Sequence, residues 1–232
     1  MDHAKRQQAI LFLDRNRFDL YEGAGGRVLS FPFAPDVINA LEVINPSSLE
    51  NQINSFLDQN SVPAANVVMI LSPNVLFEKD IVGLEPQQQE AQSQIFLDNV
   101  PFDSLITKVI PFDKGIRIST TNKALCDNIK SALEKKGFII EGVAPYESLG
   151  QNLYQTAGLD NQNGPQILKM YDSIKNNSFP VVTVSAPKKN TSEKKQEADK
   201  KAPPKTRMFL FAGIFVVLIG ILVFVLFNPP NP

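Results

Sequence analysis

Residues 208–227, MFLFAGIFVVLIGILVFVLF, carry no charged or strongly polar side chain. At about 1.5 Å per residue, a helix of that length measures about 30 Å, the thickness of a bilayer's hydrocarbon core. A segment apolar on every face suits lipid better than a protein interior, which would have to cover all of it. The reading is one C-terminal transmembrane helix, with the working part of the chain before it and residues 228–232 as a short outer tail.

The charges beside this helix set its orientation. Residues 188–207 hold eight Lys or Arg, with Lys200, Lys201, Lys205 and Arg207 nearest the apolar run, against three acids, for a net of +5. No charge follows Arg207. The positive-inside rule then places residues 1–207 in the cytoplasm, on a single-pass, tail-anchored protein. Residues 1–14 are no signal peptide, because their apolar run, 9–13, falls short of the ~7–15 residues of such a segment and Asp14 ends it. Residues 186–207 are rich in Lys, Glu, Pro and Ser and are expected to form a disordered basic tether whose lysines meet anionic membrane lipid. No aromatic residue interleaves these lysines, so there is no stacking surface for single strands and nucleic acid is not an expected partner. Gly213 and Gly220 share one helix face, which permits close approach of a second helix and allows a homodimer.

The formal charge of the whole chain is −1, so the part outside the basic stretch carries −6. That part contains one cysteine and one histidine. The inventory excludes an internal disulfide, the usual Cys/His zinc sites, and a Cys-His or Ser-His-Asp set unless His3 is credited. Cys126 lies in NKALCDNIKSALEKKG, where Leu125, Ile129, Ala132 and Leu133 mark one helical face, so it reads as a packing residue. The acids are scattered and no carboxylate pair stands in a recognisable context. No catalytic residue, metal ligand or cofactor is expected, and the chain is read as no enzyme.

Along the head, 9–13 reads as a buried strand, 17–22 as a strand of alternating polarity, 23–26 as a glycine turn and 27–33 as a third strand. A helix opens at Ser47, three residues before Glu50, with Leu49, Ile53, Phe56 and Leu57 on one face. Residues 66–73 give a continuous apolar run suited to a strand covered on both sides. A strand at 75–82, a Gln-rich helix at 86–98, and paired strands at 104–110 and 115–120 around a 111–114 turn follow. The helix holding Cys126 stops at Gly137. A strand at 138–143, helical pieces at 150–154 and 165–174, and a last strand or exit at 179–184 complete the head.

This order of elements resembles the amino-terminal half of the actin-like PilM-type pilus assembly proteins, with the cytoplasmic part of GspL-type secretion proteins as a related comparison. Residues 95–103 (IFLDNVPFD), the two strands after them, 132–138 (ALEKKGF), and 138–150 carry the likeness. It implies an α+β fold: half of an actin-like (ribonuclease H-like) sheet domain at 8–73 and 138–185, with a small inserted α/β subdomain at 74–137. The family opens on an Asp-x-Gly-Ser/Thr phosphate turn; here Asp14 is the only relic, with Asn16 for the glycine and Arg17 for the hydroxyl residue. The family's second lobe, with its adenosine pocket, has no counterpart in the residues after 150. The resemblance implies a non-enzymatic scaffold of a type IV pilus or type II-like secretion assembly at the bacterial inner membrane. Its partners would be inner-membrane pilus or secretion proteins and an assembly ATPase. In the family, partner peptides bind between the sheet domain and the inserted subdomain. A generic tail-anchored adaptor unrelated to pili and a degenerate nucleotide binder using Asp14 are the alternatives.

Overall fold

The computed structural model describes residues 6–150 and 158–180. The expected transmembrane helix with Gly213 and Gly220, the tether with Lys200, Lys201, Lys205 and Arg207, most of the helical piece at 150–154, and residues 181–184 lie outside the described residues. No helix among the described residues is long and apolar enough to cross a membrane.

The chain opens as a meander of three strands, β1 (Gln8–Asp14), β2 (Arg17–Glu22) and β3 (Arg27–Pro32), with Leu20 opposite both Leu11 and Leu29. A two-stranded ribbon, β4 (Ile38–Asn39) and β5 (Glu42–Val43), leads into α1 (Pro46–Gln59). Next comes β6 (Asn66–Leu71), which pairs parallel with β1. The chain then leaves this sheet for β7 (Phe77–Val82), α2 (Pro86–Asp98), β8 (Leu105–Phe112) and β9 (Gly115–Asn122). These strands form a separate antiparallel sheet in the order β7-β9-β8. Helix α3 (Lys123–Lys135) returns to the first sheet, and β10 (Ile139–Pro145) joins it parallel to β6. Two short helices, α4 (Gly164–Lys169) and α5 (Tyr171–Asn176), follow. The first sheet runs β10-β6-β1-β2-β3. The fold is mixed α+β, and its opening meander, helix, buried strand, excursion and return follow the order that the resemblance implies.

Alternation along the central strands decides what covers each face. On β6, Val67, Met69 and Leu71 point to one side and Val68 and Ile70 to the other, and all five have no exposed surface. The first side packs against Leu49, Ile53 and Leu57 of α1 and Leu125, Ile129 and Leu133 of α3. The second packs against Ile167 of α4 and Tyr171 and Ile174 of α5. Burying each such side chain is worth about 1.5–3 kcal/mol, so this two-sided cover dominates the fold's stability. Although α3 lies within the 74–137 stretch, it shares a core with α1 and the first sheet. It is also bridged to α1 by the Lys135–Glu50 ion pair, and Lys136, just past its end, pairs with Asp58. By contrast, α2 buries none of its residues.

Several boundaries differ from the sequence reading, each for a local reason. The cap of α1 is Asn45, two residues before the expected Ser47: its Oδ1 accepts the Ser48 N–H at 3.0 Å and Pro46 takes the first helical position. That position needs no N–H donor, which makes it proline's natural place in a helix. The ribbon β4–β5 carried no hairpin signal, because its turn puts Ala40 and Leu41, not Asn and Gly, at φ 47° and 69°. Burial of Leu41 and a 3.0 Å bond from Asn122 Nδ2 to its carbonyl hold that conformation. Residues 73–75 form a 3-10 turn, so β7 begins only at Phe77. Strand β8 runs through Pro111 into Phe112, leaving only Asp113 and Lys114 for the turn. As an edge strand it tolerates a residue without an N–H, and Pro32 in β3 and Pro145 in β10 also sit on edges. The helical stretch at 165–174 is broken at Met170 into α4 and α5.

The two candidate caps of α1 separate by mutation. Asn45→Ala should lower stability by about 1 kcal/mol in chemical denaturation, while Ser47→Ala should change it by less than about 0.5 kcal/mol.

Candidate functional site

The turn between β1 and β2 is where the resemblance would put a phosphate. Asp14 ends β1 and its Oδ1 accepts hydrogen bonds from Ser72 Oγ at 2.6 Å and Asn74 Nδ2 at 2.9 Å. Burial pushes its pKa up, but the Ser72, Asn74 and Arg15 backbone bonds, together with the nearby Arg17 charge, outweigh that and hold it below the ordinary value. Arg17 Nε donates to Asp19 Oδ1 and Oδ2 at 3.1 and 3.2 Å, and Arg17 Nη1 lies 3.8 Å from Asp14 Oδ2. The buried Asp19 also accepts the Ser30 hydroxyl at 2.6 Å. Asn16 closes the turn through its carbonyl, which accepts the Phe33 N–H at 2.8 Å, and neither Arg15 nor Asn16 adopts a positive φ. The arrangement does not fit a bound phosphate: Asp14 is engaged by side chains of this same chain, and Arg17 is committed to Asp19.

A second cluster joins residues that are distant in sequence. Glu147, on the 3-10 turn that follows β10, lies within hydrogen-bond reach of Glu78 on β7. Among the described residues neither Glu147 oxygen meets a hydrogen-bond donor, and Arg117 Nη1 stands 4.0 Å from Oε1. The Arg117 guanidinium is engaged bidentately with Asp80, at 2.6 and 2.8 Å. Burial first, then the hydrogen bond and charge of Glu78, push the Glu147 pKa up to about 8, with Arg117 opposing. Tyr146 donates its hydroxyl to Glu78 Oε2 at 3.3 Å. On β8, burial pulls the Lys108 pKa down, against the attraction of Glu147. The charged face of the small sheet therefore meets the end of β10 through a seam of acids and bases.

A groove of about 290 Å³ lies between β8 and β10. It is lined by Ile106 of β8, by 140–143 of β10, by Lys123, Cys126, Asp127 and Lys130 of α3, and by 178–180. Both flanking strands are sheet edges. Strand β10 carries a bulge between Ile140 and Gly142 that turns Glu141 toward α5, where it accepts from Tyr171 Oη at 2.7 Å and Lys175 Nζ at 2.9 Å. Those two bonds, against the cost of burial, hold the Glu141 pKa below its ordinary value. Cys126 is buried in the core, and burial pushes its thiol up to about 12, which suits packing and not nucleophilic chemistry.

Of the residues singled out in sequence, Asp14, Asn16 and Arg17 lie at the β1–β2 turn and Cys126 lines the groove, while Lys200, Lys201, Lys205, Arg207, Gly213 and Gly220 lie outside the described residues. The Glu78–Glu147 pair escaped the sequence because 69 positions separate its members. The Asp14 partners do carry a local signal: Ser72-Pro73-Asn74 after a buried strand is a turn in which Ser72 Oγ accepts the Asn74 N–H at 3.2 Å, placing both polar groups beside the end of β1.

No family model matches the chain, and no curated protein matches it by sequence. Solved structures do resemble it. A PilM-PilN type IV pilus biogenesis complex shares 16% identity at a TM-score of 0.42, over 64% of this chain and 49% of that one. The cytoplasmic domain of EpsL, an inner membrane component of the type II secretion system of Vibrio cholerae, shares 16% at 0.36, over 62% and 58%. A Bacteroides thetaiotaomicron protein with an actin-like ATPase fold and unknown function shares 12% at 0.37, over 64% and 56%. The chain thus spans about half of each of these structures.

The acid pair makes stability depend on pH in a definite sense. Unfolded, Glu147 releases its proton near the ordinary 4.5; folded, it keeps it to about 8. Between those values the folded chain binds more protons than the unfolded one, so stability is greatest at the acid end and falls as pH rises toward 8. The thermal midpoint of Glu147→Gln should fall less steeply across that window and lie above that of the natural chain at pH 8.

Proposed function

We propose that this protein is a non-enzymatic, membrane-anchored scaffold of a type IV pilus or type II-like secretion assembly, docking a cytoplasmic partner segment at the bacterial inner membrane. Residues 1–185 form the docking head, 186–207 the basic tether and 208–227 the anchor. The observation that carries the docking role is the groove between β8 and β10. It is bounded by two strand edges, whose backbone groups can pair with an extended peptide, and lined by a helix that supplies both apolar and charged contacts. It lies between the first sheet and the strands of the excursion, where the family resemblance puts a partner peptide. The closed turn at Asp14 supports a role without nucleotide chemistry.

Crosslinking of the full-length protein in its native membrane, read by mass spectrometry, tests the assignment. Adducts between head residues of β8, α3 or β10 and pilus or secretion inner-membrane components are the expected result. Recovery of unrelated proteins alone would leave a tail-anchored adaptor with no link to pili. Magnesium-ATP should leave the thermal midpoint unchanged; a clear upward shift would instead establish a nucleotide site.

A further inference from the structure

We propose that Glu78, Glu147 and Ser119 form a binding site for one divalent cation, fitted better to Ca²⁺ than to Mg²⁺, where the small sheet meets the end of β10. One face of that sheet builds most of it. Glu78 of β7, Ser119 of β9 and Lys108 of β8 are direct cross-strand partners, and Asp80 and Arg117 form the next pair on the same face. Glu147 reaches Glu78 and Arg117 from the 3-10 turn after β10.

Ser119 is the residue that points to a ligand. It has no exposed surface, stands between an acid and a base, and its hydroxyl has no hydrogen-bond partner among the described residues. Both Glu147 oxygens are buried and equally without a donor there. Buried polar atoms are nearly always satisfied, so three orphans in one place call for a bound species. The chain's own cations do not supply it. The Arg117 guanidinium is bidentate on Asp80, and the Lys108 ammonium donates to the Asn177 carbonyl. Glu78, Asp80 and Glu147 outnumber Arg117 and Lys108, so an added positive charge is favoured where these groups meet.

Donor chemistry selects the ion. Two carboxylates and a hydroxyl are hard oxygens, which suit Ca²⁺ or Mg²⁺ better than Zn²⁺, an ion that prefers nitrogen and sulfur. Among the described residues no three acids, histidines or cysteines converge as a ligand set, so water completes the shell. Ca²⁺ accepts such an irregular set of about 6–8 oxygens, with carboxylates in bidentate mode, whereas Mg²⁺ demands near-ideal octahedral geometry. Two protein charges put the site in the weak class, with a dissociation constant of about 0.1–1 mM. The site uses no residue that lines the groove and stands whether or not a partner docks there.

Thermal melts of the purified full-length protein in non-ionic detergent, freed of metal by chelation, test it at about pH 8, where carboxyl ligands are deprotonated. About 10 mM Ca²⁺ should raise the midpoint of the natural chain by about 3–10 °C, Mg²⁺ should raise it less, and Glu147→Gln should not respond. No rise in the natural chain, an equal rise in Glu147→Gln, or the same rise with Na⁺ at matched ionic strength would overturn the site. An equal rise with Mg²⁺ would remove the preference for Ca²⁺. Tb³⁺, a Ca²⁺ stand-in excited through tyrosine, reports the position. Tyr146 donates to Glu78 Oε2 at 3.3 Å and the chain has no tryptophan, so the natural chain should show sensitised emission that excess Ca²⁺ removes. In Tyr146→Phe that emission should be lost while Ca²⁺ still raises the midpoint. Undiminished emission there would put the ion elsewhere and overturn the site. The two readings fail separately. A Ca²⁺ response without any crosslinked assembly component keeps the cation site and removes the docking role, and the opposite pair of results does the reverse.

Discussion

Burial of β6 on both faces is the constraint from which the remaining architecture follows. A strand whose successive side chains are all sealed needs neighbours on both edges and helices on both faces. Strands β1 and β10 supply the first, and α1 with α3 and α4 with α5 the second. Because β1, β6 and β10 are parallel, each return to the sheet demands a crossover. The first crossover is α1. The second is the whole excursion through β7, β8 and β9, closed by α3. The small sheet is thus a detour within one crossover, and this is why its edge strand β8 comes to stand beside β10.

What could be read in the sequence was what local physics controls. The run at 66–71 declared a strand covered on both faces, the periodicity around Ile129 declared a helix, and Gly137, at φ 83°, ended it as expected. What could not be read came from pairings across distance. The ribbon at Ala40–Leu41 exists because its buried leucine and the Asn122 bond outweigh an unfavourable backbone. Pro111 sits inside a strand because that strand is an edge, a property of topology and not of the peptide. The acid pair and the groove have no local signature, since their members are brought together only when the excursion folds back.

The two ends of β1 and β10 differ in how their polar groups are used. At the close of β1, side chains from three strands and a turn satisfy one another, with Asp14 held ionised among donors and Arg17 against Asp19. At the close of β10, two acids meet under burial with too few donors, and the guanidinium nearby is engaged elsewhere. The first arrangement stiffens a turn. The second makes the seam between the sheets cheaper to open once the Glu147 proton is gone.

The exit of the chain along a sheet edge has a mechanical consequence. A pull applied beyond Pro180 loads the Phe179–Val143 bond and then the Lys108–Asn177 contact in sequence, as in opening a zipper. The ladders joining β6 to β1 and β10 are left out of that load path. Tension from the C-terminal side therefore acts first on this edge and on the buried Phe179, before it reaches the central sheet.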